Sequence, residues 1–172
     1  MNPDIDLRLQ AVLKALSDVI LPALPAEEHL ARDQTRLVMG HLEIIHEQWQ
    51  YALKFELENL ALACELAREL AALTVDGRLG DDLSAALAAA AAVASSDYQA
   101  VSDAHRALKA VIDSVLTAGQ ADTALPPAML AAVLRYNQRR APRERVWHRA
   151  AGLDPDAAQL PSIAALFERR PD

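Results

Sequence analysis

The feature that most constrains this chain is a long stretch, residues 26–73, that contains no proline and a single glycine, Gly40. Apolar residues recur through it at helical spacing, so the pattern predicts one helix of 48 residues. At 1.5 Å per residue such a helix is about 70 Å long, whereas globular helices average about 11–12 residues. The rest of the chain must therefore pack alongside it. Gly40 is the expected weak point, since glycine costs about 1 kcal/mol relative to alanine.

The composition favours helices throughout. Alanine and leucine dominate, hydrophobic residues make up 52% of the chain, and aromatic residues only 4%. This balance is typical of packed helices rather than of sheets. We therefore predict an all-α fold, an antiparallel helical bundle with two long central helices and shorter flanking helices.

Prolines and turn residues divide the chain into four predicted helices. Residues 1–141 are expected to form the bundle domain, and residues 142–172 a short helical and irregular segment packed on the same domain. Asn2 is the expected N-cap of the first helix, and Pro142 is expected to end the fourth. The predicted ranges are 3–21 for helix A, 26–73 for helix B, 81–117 for helix C and 126–140 for helix D.

Charge and cysteine content bear on compartment and partners. The single Cys64 excludes an internal disulfide, and the first residues lack the basic and apolar segments of a signal peptide. The longest apolar run, residues 85–94, is much shorter than the roughly 20 residues that cross a bilayer. A net charge of −7 disfavours binding to nucleic-acid phosphates. We expect a cytoplasmic protein with no membrane span and no nucleic-acid partner.

Several polar residues fall where the helical period places an apolar face. On helix B these are Gln34, His41 and Gln48, seven residues apart, followed by Glu56 and Asn59; on helix C they are Asp97, Tyr98 and His105. Antiparallel packing places Glu56 level with Asp97 and Tyr98. The same register places His105 level with Trp49 and Gln48. We therefore expect Glu56, Asp97, Tyr98 and His105 to be buried and grouped.

Three interpretations of this polar cluster remain open. The favoured one is a buried hydrogen-bond network that fixes helix register or dimer pairing, as polar core residues do in coiled coils. The second is a pocket for a small molecule, and the third a carboxylate-rich metal or acid–base site, for which one Glu and one Asp supply too few ligands. No metal or cofactor is assigned. The candidate ligand-binding residues are Glu56, Asp97, Tyr98, His105, Trp49, His41 and Gln48.

A second constellation is basic, with six arginines in residues 135–149 against one acid, Glu144. Guanidinium groups match phosphate oxygens bidentately, so a phosphate-bearing ligand is one hypothesis. The favoured interpretation is pairing with the acidic faces of helices B and C or with a second subunit, since no glycine-rich phosphate loop accompanies the arginines. The candidate anion-binding residues are Arg135, Arg139, Arg140, Arg143 and Arg145.

The unequal helix lengths bear on assembly. Helices A and D are less than half as long as helix B, so the distal part of the B–C hairpin has no assigned cover within the chain. Its apolar stripe cannot remain exposed to water. A homodimer through this hairpin is the expected solution; the alternative is that residues after Pro142 fold back over it. The stripe consists of Leu60, Ala63, Leu66, Ala67, Leu70, Leu83, Leu87, Ala90 and Ala94.

These observations predict a non-catalytic, homodimeric interaction or assembly module. The alternative is a binding protein or an enzyme for a small anionic or phosphorylated ligand held between helices. Whether the chain is an enzyme stays open, because no serine, cysteine or histidine has a spacing that indicates a nucleophile with its base.

Overall fold

The computed structural model describes residues 4–74, 77–118 and 125–168. These residues form helices and connecting turns with no β-strand among them, so the all-α prediction is confirmed. The α-helices are α1 (Ile5–Ala15), α2 (Leu21–Ala23), α3 (His29–Gln48), α4 (Ala52–Leu73), α5 (Gly77–Ala91), α6 (Tyr98–Ala118), α7 (Pro127–Trp147) and α8 (Ile163–Glu168). A π-helical turn at Leu16–Ile20 joins α1 to α2, and 3₁₀ turns lie at Trp49–Tyr51, Arg149–Ala151 and Ala157–Gln159.

The chain divides into two compact units. Unit 1 comprises Met1–Gln50 together with Arg143–Asp172, and unit 2 comprises Tyr51–Pro142. One boundary therefore falls in the 3₁₀ turn after α3 and the other inside α7. The C-terminal segment groups with the N-terminal helices.

In unit 1, α1 packs against α3. Nε2 of His46 on α3 lies 2.8 Å from Oδ1 of Asp6 on α1. Arg32 of α3 donates from Nη1 to the carbonyls of Leu21 and Leu24, at 3.1 and 2.8 Å. These carbonyls end α2 and have no partner within a helix that stops there, so Arg32 ties the end of α2 to α3.

The start of α1 differs from the prediction. Asp4 is the N-cap, because its carboxylate accepts the backbone N–H of Leu7 at 2.9 Å. The expected cap, Asn2, lies outside the described residues. An aspartate in this position also places negative charge at the positive end of the helix dipole.

The C-terminal segment of unit 1 is held against the end of α3. Gln48 donates from Nε2 to the carbonyl of Trp147 at 2.8 Å. Nε of Arg149 lies 3.3 Å from Oε2 of Glu47. Val146, Trp147 and Ile163 are the buried apolar residues of this segment.

The predicted helix B is present, with different bounds and a different weak point. It begins at His29 rather than Ala26, after a tight turn at residues 25–28. The α-helix continues through Gly40 without a break. The α-helical pattern instead gives way to a 3₁₀ turn at Trp49–Tyr51, where two aromatic residues with restricted χ1 rotation occur.

The prediction of one continuous helix C is wrong. The chain forms α5 and α6, separated by residues 92–97, and α5 begins at Gly77 rather than Asp81. Serine and aspartate side chains compete for backbone hydrogen bonds, and residues 95–97 are Ser-Ser-Asp. Asp97 accepts the N–H of Ala100 at 3.1 Å and so caps α6. As a result α5 and α6 both pack against α4 and against each other.

This packing covers most of the apolar stripe that was expected to lack cover within the chain, so that expectation is wrong for all but its end, where Leu87 is half-buried and Ala94 exposed. Leu70 and Leu83 have no exposed surface. The cover within unit 2 comes from α6 and from the first part of α7. The core of unit 2 consists of Leu60, Ala63, Leu66, Ala67, Leu70, Leu83, Ala90, Val101, Leu108, Ile112, Val115, Met129 and Ala132.

Helix α7 runs antiparallel to α4 and extends beyond its predicted end. Arg135 pairs with Glu69, whereas Arg139, one turn later, pairs with Glu65, one turn earlier. Pro142 lies inside the helix, so the prediction that it ends helix D is wrong. Proline removes one backbone hydrogen bond, and the helical path continues past that missing bond to Trp147.

Candidate functional site

The centre of the expected polar cluster is present as a pair, His105 of α6 and Glu56 of α4. Nδ1 of His105 lies 3.0 Å from Oε2 of Glu56, and the two side chains are 11% and 21% exposed. A carboxylate oxygen accepts hydrogen bonds, so Nδ1 of His105 is the donor in this contact and Oε2 of Glu56 the acceptor. His105 is thus level with Glu56, and not with Trp49 and Gln48 as predicted, because helix C is divided in two.

Near this pair, two buried polar atoms on α4 and α6 have no hydrogen-bond partner among the described residues: Nε2 of His105 and Oδ1 of Asn59. Asn59 follows Glu56 by three residues and therefore lies on the same side of α4. Buried polar atoms of this kind are normally satisfied by protein or water. A histidine oriented by a carboxylate, with Nε2 open, is also the arrangement of a general base or a metal ligand.

Asp97 and Tyr98 do not share this burial. Both are exposed, Tyr98 to 46%, so the prediction of one buried group of four residues is wrong. The reason is local, because these two residues begin α6 and the carboxylate of Asp97 is used as its cap. The polar pair is therefore built from Glu56 and His105, with Asn59 nearby on α4.

The polar line on helix B lies in unit 1 and faces solvent for most of its length. Gln34 and His41 are exposed, while Gln48 and Trp49 are half-buried. The expectation that this line lies in an apolar interior is wrong for the first two residues, because α1 packs on a different face of α3. The indole Nε1 of Trp49 is buried without a hydrogen-bond partner among the described residues.

The surface around this polar line is apolar. Leu30, Leu37, Val38 and Ile45 of α3 are 74%, 53%, 48% and 48% exposed, and no residue of α3 is buried. Leu30 and Leu37 are seven residues apart, as are Val38 and Ile45. Exposed aliphatic residues at this spacing are typical of a helix that packs along another helix. We call this surface, residues 30, 34, 37, 38, 41, 44, 45 and 48, the α3 face.

Helix α1 and the π-helical turn after it also carry exposed apolar residues. Ile5 and Val12 of α1, seven residues apart, are 52% and 47% exposed, and Val19 of the π-helical turn is 64% exposed. No residue of α1 is buried. Sequence reasoning did not identify these residues as an exposed surface, although the seven-residue spacing of Ile5 and Val12 is the signal that could have done so.

The candidate anion-binding arginines are engaged with acidic residues of their own chain. On α7, Nη2 of Arg135 lies 2.5 Å from Oε2 of Glu69. Arg139 pairs with Glu65 in the same way. These arrangements match the favoured interpretation of pairing with the acidic face of helix B. An anion at these arginines would have to displace a carboxylate.

The remaining arginines make a different set of contacts. Arg145 in unit 1 forms a two-point ion pair with Asp154, at 2.7 and 3.0 Å. This pairing lowers the pKa of Asp154 to about 2 and raises the pKa of Arg145. Arg140 stacks over Tyr136, and Arg143 over the ring of Phe167, at 5.9 and 5.8 Å from the ring centres.

Two cavities in unit 2 lie away from the polar pair. One, of about 90 Å³, lies between α4 and α7 beside the Arg135 and Arg139 ion pairs. The other, of about 220 Å³, lies between α6 and α7 over Leu66 of α4. Neither is lined by Glu56 or His105. The lining of the larger one is Leu66, Lys109, Ile112, Asp113, Leu116, Val133, Tyr136, Asn137 and Arg140.

Within residues 4–74, 77–118 and 125–168, no three His, Cys, Asp or Glu side chains converge as metal ligands would. None of the helices in these ranges combines the length and the apolar character that crossing a bilayer requires. Comparison with known protein families, with curated proteins and with solved structures finds no match for this chain. Its functional class must therefore be argued from its own surfaces.

Proposed function

We propose that this chain is a non-catalytic helical interaction module that associates with a second copy of itself through the apolar surface of unit 1. The observation that carries the proposal is that α1 and α3 have no buried residue yet expose nine large apolar side chains. These are Ile5, Leu7, Val12, Val19, Ile20, Leu30, Leu37, Val38 and Ile45, counting the two in the π turn that joins α1 to α2.

The two units differ in how they bury apolar side chains. Unit 2 buries most of its apolar residues in a core of its own, whereas α1 and α3 of unit 1 have no buried residue. Burial of apolar surface is worth about 25 cal/mol per Å². Covering several half-exposed aliphatic side chains therefore contributes favourable free energy against the cost of association. The proposed interface therefore lies on the α3 face and α1 instead of the distal B–C hairpin, where most residues of the apolar stripe are already buried. We place this activity in the cytoplasm, in keeping with the single free Cys64.

The test is the mass of the protein in solution. Sedimentation velocity of the wild type across a dilution series should show a dimer that dissociates on dilution. Leu37→Glu together with Ile45→Glu should weaken association by about 100-fold or more, since a buried carboxylate has no partner there. Leu153→Glu is the matched control, because Leu153 is 90% exposed and lies outside these helices. A wild type that stays at 18.7 kDa throughout the series would refute the proposal.

A second candidate function rests on the larger cavity of unit 2. On α6 its lining residues are Lys109, Ile112, Asp113 and Leu116, and on α7 they are Val133, Tyr136, Asn137 and Arg140. Both sets follow the i, i+3, i+4, i+7 pattern of a single helix face. The lining combines aliphatic residues with two cations, Lys109 and Arg140, and one acid, Asp113. A small organic anion with an apolar body is the ligand that this combination suits.

At about 220 Å³ this cavity is below the usual range of about 300–1,000 Å³ for ligand pockets, so we rank this function second. Titration with hexanoate and with benzoate, followed by NMR shifts of the α6 and α7 amides, tests it. Lys109→Gln should weaken binding if the anion is held there, whereas Lys54→Gln, an exposed change on α4, should not. Shifts that are absent, or equal for both variants, would exclude this function.

A further inference from the structure

The α3 face has an internal symmetry that its composition alone does not require. Its central line holds Gln34, His41 and Gln48. Gln34 and Gln48 are equally far from His41, seven residues on either side. If a second copy of the helix runs in the opposite direction and is centred on His41, Gln34 of each copy therefore lies opposite Gln48 of the other, and the two His41 residues lie opposite each other.

The aliphatic residues between Gln34 and Gln48 share this symmetry. One flank carries Leu37 and Ile44, and the other carries Val38 and Ile45, whereas Leu30 lies outside the symmetric span. The midpoint of each pair lies half a residue from His41, before it for the first pair and after it for the second. At 1.5 Å per residue this offset is less than 1 Å, so aliphatic residues also lie opposite aliphatic residues when the second copy runs in the opposite direction.

A two-fold symmetric interface requires this kind of self-complementarity, because the same patch of each copy meets itself. We propose that two copies pair antiparallel along α3, with the two-fold axis at His41. Gln34 then faces the partner's Gln48, and His41 faces its own equivalent. The inference rests on the proposed function and specifies the partner, direction and register of that interface.

The central polar line gives this pairing its specificity. Polar residues within an apolar seam fix register at some cost in stability, since a shifted register leaves them facing aliphatic side chains. A shift of one heptad would pair Gln34 with His41 and leave Gln48 without a counterpart within the helix. With the axis at His41 all three polar residues have one. Antiparallel pairing also sets the two helix dipoles in opposite directions, which is the favourable arrangement.

The hydrogen bonds within the chain leave the polar side chains of the α3 face able to bond to a second copy. Gln48 already donates from Nε2 to the carbonyl of Trp147, and its side-chain oxygen remains to accept from the partner's Gln34. Gln34 and His41 are exposed in the single chain. The polar line that sequence reasoning assigned to register or dimer pairing is therefore available for that role, on the surface of the chain rather than in its interior.

Cysteine cross-linking tests the direction and the register. In a full-length Cys64→Ser background, Gln34→Cys and Gln48→Cys proteins are mixed and treated with a short bis-maleimide. We expect cross-linked dimer at about tenfold or more above a control at Glu43→Cys, because pairing raises the local thiol concentration to millimolar levels. Glu43 is exposed on a different side of α3. Gln34→Cys alone should stay near the control level, while His41→Cys alone should cross-link.

The other outcomes separate this inference from the proposed function. Cross-linking of Gln34→Cys with itself would show parallel pairing, and cross-linking of Gln34→Cys with His41→Cys would show a shifted register. Either result overturns the inference and leaves the interaction module in place. A background protein that remains monomeric by light scattering overturns both. Circular dichroism of each variant confirms that the helices are retained, since all four positions lie on or near the surface.

Discussion

At the scale of single residues, the Glu56–His105 pair is where buried polarity is concentrated in unit 2. Its Nδ1–Oε2 hydrogen bond orients the imidazole, and Nε2 of His105 has no partner among the described residues. Neither of the two cavities described above is lined by the pair. The low exposure of both side chains and their direct contact between α4 and α6 support a role in fixing the register of α6 on α4, which is the first of the three interpretations drawn from the sequence.

Removal of one partner should cost more than removal of both. Glu56→Ala leaves His105 buried without its acceptor, so we expect the free energy of unfolding to fall by about 1–3 kcal/mol. Adding His105→Ala should cost less than the two single changes combined, with a coupling of about 0.5–3 kcal/mol. Urea unfolding of the four proteins in the cycle measures this. Strictly additive effects would show that the two side chains do not interact.

Asp154 makes a pH-dependent contribution to unit 1. Its two-point pairing with Arg145 lowers its pKa from the ordinary 3.8 to about 2. A lowered folded-state pKa means that the pairing stabilises the fold fully above about pH 4, and that this stabilisation is lost as the pH falls through about 2.

Asp154→Asn should therefore reduce stability at pH 7 but make progressively less difference as the pH approaches 2. Urea unfolding midpoints at pH 7, 4 and 2 measure this, with Asp156→Asn as the control, since Asp156 makes the longer contact to Arg145 at 3.2 Å. A difference at pH 2 as large as that at pH 7 would contradict the assignment.

At the scale of elements, helix α3 contains a glycine, Gly40, although glycine is a poor helix former. Gly40 is helical, and a methyl group added at its Cα position would meet no atom within 4 Å. Gly40→Ala should therefore raise the free energy of unfolding by about 1 kcal/mol. The thermal midpoint reports this, with Gly152→Ala as the comparison, because Gly152 has a positive φ of 68° and alanine there is strained. A lower midpoint for Gly40→Ala would show that this site is constrained.

The helical content of the chain could be predicted from the sequence more fully than the points at which helices are interrupted. Alanine-rich periodicity was sufficient to predict the all-α fold and the length of helix B to within a few residues. It did not show that residues 92–97 interrupt helix C, because alanine runs mask the Ser-Ser-Asp cap signal that precedes α6. A missed interruption changes the register predicted for every residue after it. For this reason the sequence predicts Asp97, and not His105, as the neighbour of Glu56.

The candidate sites show the same limit. The spacing of residues along predicted helix B was enough to place Gln34, His41 and Gln48 on a single line. It also placed Glu56 on the apolar face of the part that forms α4. Which neighbour covers a given face depends on packing between helices that are distant in sequence. Sequence reasoning alone could therefore not decide that the distal hairpin is covered and that the α3 face is exposed.

At the scale of the whole molecule, the chain combines a unit with a core of its own and a unit whose long helices expose their apolar residues. The central claim is that the exposed surface of unit 1 is covered by a second copy. Hydroxyl-radical footprinting tests it directly, because it reports the solvent exposure of individual aliphatic side chains.

Footprinting should be carried out on the wild type at nanomolar and at high micromolar concentration. We expect labelling of Leu37, Val38 and Ile45 to fall several-fold at the higher concentration, while labelling of Leu153 and of Leu134, which is 52% exposed on α7, stays constant. Unchanged labelling of the α3 face at both concentrations would contradict the account.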